Sequence, residues 1–269
     1  MENDDLPIGR ILSRREFLAL LGTAGAAMLA ACAPGQSGAG QPTSVATQVS
    51  SSSLTQSPTS APTQVATAAN TGTLPSCIVR PEVTEGPYYV DEDLNRSDIR
   101  SDPTTGAVKD GTPLTLTFNV SQVGSNGCTP LEGAKVEIWH CDAAGVYSDV
   151  SDPGFDTTGQ KFLRGNQVTN ANGQATFVTI YPGWYSSRTV HIHFKVHHDT
   201  SGQGREFTSQ LFFDDSLSDQ VFTQAPYASK GQRDTLNSND NIYDDQLLLN
   251  VTQADEGYAA TFDIGLQMV

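Results

Sequence analysis

The sequence predicts an all-β domain, an antiparallel β-sandwich carrying a metal site on its loops and strand ends. Three observations predict it. Short apolar–polar alternations recur through the last two thirds of the chain. Asp-, Gly-, Asn- and Pro-rich connections separate them, and no 3.6-residue apolar period runs to a useful length.

The elements follow in order. Residues 112–123, TPLTLTFNVSQV, place Leu114, Leu116, Phe118 and Val120 on one face. Residues 134–141, AKVEIWHC, do the same with Val136 and Ile138. Asn172-Gly173 signals a hairpin turn ahead of a strand at 174–181. In the strand 189–197, TVHIHFKVH, the residues Val190, Ile192, Phe194 and Val196 form the core face. Strands at 206–213, 245–251 and 258–266 complete the set, with no internal repeat and no second domain.

This domain does not begin at residue 1. Residues 1–32 read as an export signal. Arg14-Arg15 precedes a short apolar run from Ala19 to Ala31, as in a twin-arginine signal, and Leu29-Ala30-Ala31-Cys32 looks like a lipobox. The expectation is a bacterial cell-envelope protein, secreted or anchored by a lipid on Cys32. Residues 33–76 contain Ser, Thr, Gln, Ala, Gly and Pro in abundance and no charge, which predicts a disordered tether. The domain then occupies 77–269, roughly 190 residues and enough for one core. Its export context permits a disulfide, in which Cys77 pairs with Cys128 or Cys141; those two are awkward partners for each other at opposite ends of one segment. A formal net charge of −15 disfavours nucleic acid and anionic membrane surfaces as partners.

Chemistry concentrates in YPGWYSSRTVHIH at 181–193. The strand period that sends Ile192 into the core sends His191 and His193 together to the other face, close enough to share an ion. Imidazole alone would suit zinc, copper or iron. Tyr185 and Arg188 stand just upstream in a turn-rich loop, and Tyr147 lies in the loop after 134–141. A phenol with a pKa near 10 becomes a ligand only on a strongly acidic ion, so two phenolates with two imidazoles favour Fe(III). His197 and His198 read as a solvated strand end and His140 as a packing residue. The pairs Asp214-Asp215 and Asp244-Asp245 read as turn acids, and Tyr227, Tyr243 and Tyr258 as ordinary aromatics.

Glu85-Gly86-Pro87-Tyr88-Tyr89, then VEIWHCDAAGVYSD at 136–149, then YPGWYSSRTVHIHFKV at 181–196, resemble the intradiol ring-cleavage dioxygenases in motif and order, across nearly the whole domain. The resemblance implies one mononuclear Fe(III) held by Tyr147, Tyr185, His191 and His193, with Tyr185 and His193 axial. It implies that Arg188 stabilises charge on a bound catecholate, that Gln210 helps orient it, and that Tyr88 and Tyr89 wall the pocket. The implied reaction takes a catechol-type substrate and O₂ to a cis,cis-muconate-type product, with Tyr185 accepting a substrate proton. Two departures stand out. An export signal and tether replace the helical segment through which cytoplasmic members dimerise, and the run from Tyr185 to His191 is shorter than in protocatechuate enzymes. The competing expectation is a non-catalytic metal-binding surface module, which gives no reason for two tyrosines and an arginine to accompany the histidines.

Overall fold

A computed structural model describes residues 78–125, 127–200 and 203–267. The export signal, the lipobox cysteine Cys32, the tether at 33–76 and Cys77 lie outside the described residues.

Among the described residues, eleven strands build the domain. In chain order they are β1 (Pro113–Gly124), β2 (Gly127–Pro130), β3 (Lys135–Trp139), β4 (Ser151–Asp152), β5 (Phe155–Asp156), β6 (Arg164–Val168), β7 (Gln174–Ile180), β8 (His191–Thr200), β9 (Gln203–Phe212), β10 (Asn250–Gln253) and β11 (Tyr258–Gln267). One helix, α1 (Asp215–Val221), follows β9. The first sheet runs β10-β11-β1-β2, with β7 also on β1; the second runs β6-β3-β8-β9. A separate two-residue hairpin joins β4 to β5.

The core lies where the predicted alternations meet. Leu114, Leu116, Phe118 and Val120 of β1 and Phe262 and Ile264 of β11 face Val136, Ile138, Ile192, Phe194 and Val196, all at most 1% exposed. Phe118 stitches the two sheets together: its ring centroid lies 5.3 Å from Phe194 across the interior, and 6.1 Å from both Phe177 and Phe262 on its own sheet.

Four features differ from the sequence expectations. The pairing of β1 with β11 is parallel, from Leu114↔Tyr258 to Val123↔Gln267, within an otherwise antiparallel architecture. Asn172-Gly173 does form a turn, closed by the Gly173 N–H on Asn170 O at 2.8 Å, but β6 and β7 on either side belong to different sheets. The predicted strand at 245–251 starts instead as a 3₁₀ turn at Asp245–Leu247, because Asp244 accepts the Gln246 N–H, and strand pairing begins at Asn250. β6, RGNQV, carries no apolar alternation, since Arg164 and Asn166 are buried polar residues. Of the cysteines, Cys128 is disulfide-bonded and Cys141 is a buried free thiol, which removes Cys141 as the partner of either.

Candidate metal centre and active site

The outward face of the second sheet is unusual in being covered. Register aligns Arg164 with Trp139, Trp139 with His193, and His193 with Gln210, a row running across all four strands. Each of these four side chains is at most 3% exposed. The extended segment before β1 roofs the row: Arg164 donates to Tyr88 O at 2.7 Å, and Gln210 donates to Thr84 O at 2.9 Å.

Two loops bring tyrosines to this row. The first leaves β3 and turns on Asp142, whose carboxylate accepts the Ala144 and Val146 N–H groups at 3.0 Å each and pairs with Lys109. The second, 181–190, precedes β8. They pack backbone to backbone, with the Gly183 N–H on Asp142 O at 3.2 Å. Gly145 allows the approach: it has φ +82°, and a Cβ there would sit 2.2 Å from Trp184 O.

The result is a convergence of four donors. His191 Nε2 lies 3.1 Å from His193 Nε2, 3.2 Å from Tyr185 Oη and 3.4 Å from Tyr147 Oη. Tyr147, His191 and His193 are at most 2% exposed, and Tyr185 is half-buried at the mouth. His191 Nδ1 donates to Thr189 O at 2.6 Å, so its Nε2 presents a lone pair to the centre. His193 is oriented differently, by the Trp139 ring stacked on it at 5.0 Å and 6°. Burial foremost, then neighbouring positive charge, lowers the pKa of both imidazoles and keeps them neutral.

This geometry fits a metal ion. Ligands held about 2.1 Å from one ion stand roughly 3 Å apart at right angles, the spacing found here. Among the described residues no group of three His, Cys, Asp or Glu side chains could hold a metal. The phenols are therefore essential to the set. Burial pushes the Tyr147 pKa well up, so its phenolate exists only beside a cation strong enough to offset that loss of hydration. A hard trivalent ion such as Fe(III) meets that demand, and these four side chains would hold it.

Arg188 is buried against the centre, its Nε 2.9 Å from Asp240 Oδ2 and its Nη2 donating to Gln210 Oε1. Asp240 also accepts the Thr189 and Ile242 N–H groups at 2.8 Å each. Asp234 accepts from Ser186 Oγ at 2.6 Å and from the N–H of Ser187, whose φ is +72°. Sequence reasoning missed both aspartates. They lie some fifty residues downstream in a polar loop that reads as turns, and no spacing signal links them to Arg188.

Beside the centre opens a cavity of about 730 Å³, lined by Tyr88, Val146, Val150, Asp152, Phe155 and Tyr185 among others. The Tyr88 ring stacks on Tyr147 at 4.5 Å, and its hydroxyl donates to Asp152 at 2.8 Å. Tyr89 does not line the cavity; its ring lies 4.9 Å from Trp139, behind His193. His140 hydrogen-bonds Cys141 O and Thr179 Oγ1, away from the centre. His197 lies 3.5 Å from both Glu137 and Glu206 at the far end of β8. Asp214 caps α1, and the buried Tyr227 hydroxyl donates to Tyr181 O.

Two tyrosines and two histidines converging on the covered face of a β-sandwich point to a class of protein, and comparison with known proteins shows the family. Residues 84–268 match the family model described as Dioxygenase. The chain is 33% identical over 192 residues to the protocatechuate 3,4-dioxygenase beta chain of Burkholderia cepacia, covering 67% of this chain and 76% of that one. It is 31% identical over 157 residues to catechol 1,2-dioxygenase 1 of Acinetobacter lwoffii, spanning 49% of this chain and 45% of that protein. The structure of an intradiol ring-cleavage dioxygenase from Tetranychus urticae superposes with a TM-score of 0.63 at 33% identity, over 71% of this chain and 95% of that one. The chain belongs to the intradiol ring-cleavage dioxygenases, a family of oxidoreductases.

Proposed function

We propose that this protein is a mononuclear Fe(III) enzyme that inserts both atoms of O₂ into a catechol-type substrate and opens the ring between the two hydroxyl-bearing carbons. The product is a cis,cis-muconate-type dicarboxylate, and the atoms balance without an external reductant. The observation that carries this reading is the convergence on His191 Nε2 of two phenol oxygens and the His193 nitrogen, each 3.1–3.4 Å from it. Ferric iron, when bound, makes a coordinated catecholate open to direct attack by O₂.

The side chains divide the remaining work. Tyr185, half-buried beside the cavity, is placed to accept a proton from an incoming diol, while the enclosed Tyr147 stays in place. Arg188 is a permanent cation held rigidly by Asp240 and Gln210, so it stabilises developing negative charge without reorganising. Gln210 fixes Arg188 from the neighbouring strand. Tyr88 and Phe155 supply apolar wall for an aromatic ring.

The test is to load the protein with Fe(III) and supply catechols under O₂. Tyrosinate ligation predicts a red-brown protein, and turnover predicts one O₂ consumed per ring opened, with ultraviolet absorption of a muconate. A colourless iron-loaded protein, or a coloured one inert towards catechol, protocatechuate and hydroxyquinol, would sink the reading. We also propose that residues 1–32 direct export, with Cys32 as lipid anchor. The disulfide at Cys128 supports an oxidising compartment. Replacing Cys32 with Ser should release the protein from membranes; retention there would refute the anchor.

A further inference from the structure

We infer that Arg164 is a positioning residue for the ligand Tyr147, a clamp that fixes this phenol from two sides at once. The inference rests on the metal-centre reading above.

Arg164 opens β6, outside every sequence motif that marks the site, and its side chain is 3% exposed. One side of its guanidinium takes hold of the residue following Tyr147. Nε donates to Ser148 Oγ at 2.9 Å and to Ser148 O at 3.2 Å, and Nη2 donates to Ser148 O at 2.6 Å. The same Nη2 donates to Tyr88 O at 2.7 Å. Tyr88 is the residue whose ring stacks on Tyr147 at 4.5 Å and 22°. A single planar cation thus fixes both the chain that carries the phenol and the ring that covers it. Lysine, a point donor on a flexible stem, cannot hold such acceptors in one plane.

Two further contacts complete the frame. Ser148 Oγ in turn donates to Phe162 O at 2.6 Å, and Thr157 Oγ1 donates to Tyr147 O at 2.6 Å. Beyond these, the Tyr147 hydroxyl makes a longer contact of 3.4 Å to His191 Nε2. The histidine ligands are fixed by strand pairing in β8, whereas Tyr147 rides on a loop. Tyr185 rides on a loop as well, tied beside it by Asp234 to Ser186 and Ser187, and for Tyr147 the Arg164 frame fills that role.

Charge points the same way. Arg188 shares its charge with Asp240 at 2.9 Å. Arg164 has no carboxylate within ion-pair distance among the described residues, and its Nη1 has no hydrogen-bond partner in the protein. Burying a guanidinium against neutral acceptors, two carbonyls and a hydroxyl, is costly for a purely structural role.

The test compares Arg164→Gln, Arg164→Lys and Val120→Ala in the full chain. Val120 is a core residue of β1 in the other sheet, so its truncation lowers stability without touching the clamp. Three quantities are measured: thermal midpoint, Fe(III) affinity by competition with a chelator, and the energy of the tyrosinate-to-iron absorption band. The clamp predicts that Arg164→Gln weakens Fe(III) binding about 10–100-fold and shifts the band, with Arg164→Lys falling between it and the parent. Val120→Ala should lower the midpoint and leave affinity and band unchanged. If the Arg164 variants merely lose stability, as Val120→Ala does, the inference is overturned. Should Arg164→Gln not fold, Arg164→Lys with parental affinity and band would overturn it equally. A parent protein that never develops the band fails the metal-centre reading instead, which keeps the two failures apart.

Discussion

The two sheets treat their outer faces in opposite ways. On the first, Thr115, Thr117, Asn119, Thr176 and Thr261 point outward and are exposed or half-exposed, with Thr117 and Thr176 meeting across the strands at 3.1 Å. This is the ordinary solvated back of a sandwich. On the second, the corresponding positions carry Arg164, Asn166, Glu137, Trp139, His191, His193, Lys195 and Gln210, all buried. Both sheets share one core, so the contrast comes from the roof. The segment 78–103 also bonds β11 and β7 of the first sheet, at Gly265 and Val178, but it lies over the outer face of the second and converts a solvated face into a low-dielectric chamber. Inside it, imidazoles stay neutral and a guanidinium acts at close to full strength.

The contrast is broken most severely at the ligands. Exchanging His191 for Ala, or Tyr147 for Phe, removes one of four donors from a preformed set. We expect loss of iron retention and a fall in turnover beyond the 10–100-fold typical of outer partners. Dialysis against a chelator followed by iron analysis checks retention, and oxygen uptake checks turnover. Full activity in both variants would refute the ligand assignment.

How much of this was legible in the sequence follows from what each residue answers to. His191 and His193 lie in a strand whose other face is purely apolar, so periodicity alone oriented them. Val190, Ile192, Phe194 and Val196 did enter the core. Arg164 and Asp240 answer to partners 16 and 52 residues away, and nothing in a linear pattern encodes such pairings. β6 was invisible for a related reason: strand signals assume one wet face, and β6 hides polar side chains beneath the roof. The parallel β1–β11 pair escaped because apolar alternation reports which face is buried and is silent on strand direction. Tyr89 was assigned to the pocket wall by its neighbour's motif, yet alternation along the extended roof turns it toward Trp139 while Tyr88 meets Tyr147.

A second test concerns the charge inside the chamber. Replacing Arg188 with Gln removes preorganised stabilisation and should lower kcat about 10²–10³-fold with little change in iron content. Asp240→Asn asks a different question, since it leaves Arg188 buried without its counter-ion. Breaking such a pair costs about 3–5 kcal/mol. Burial alone would raise the Asp240 pKa, but Arg188 and two backbone N–H groups outweigh it, and the folded value is depressed. A depressed carboxylate stabilises the fold above its unfolded pKa, near 3.9, and that contribution fades as pH falls through the folded value. Urea unfolding should therefore separate parent and Asp240→Asn widely at pH 6 and less below pH 3. A gap that stays constant across this range would show that Asp240 matters by shape and not by charge.

The smallest expected effect tests the roof itself. Lys195, on β8 between His193 and His197, has a side chain only 4% exposed and pairs with Glu85 of the roof and Glu206 of β9. Its ammonium also lies 4.5 Å from the Tyr89 ring. Both carboxylates are about half exposed, so solvent screens them and the cost of Lys195→Met falls below that of a fully buried pair, to about 1–3 kcal/mol. Thr117→Val, at an outward position of the uncovered sheet, should stay within about 0.5 kcal/mol. The decisive readout is local: hydrogen exchange over residues 84–92 should quicken in Lys195→Met and stay unchanged in Thr117→Val. If 84–92 remained as protected as in the parent, the roof would be held by its hydrogen bonds, those of Arg164 and Gln210 among them, and the ion pairs across Lys195 would be ornament on a lid already shut.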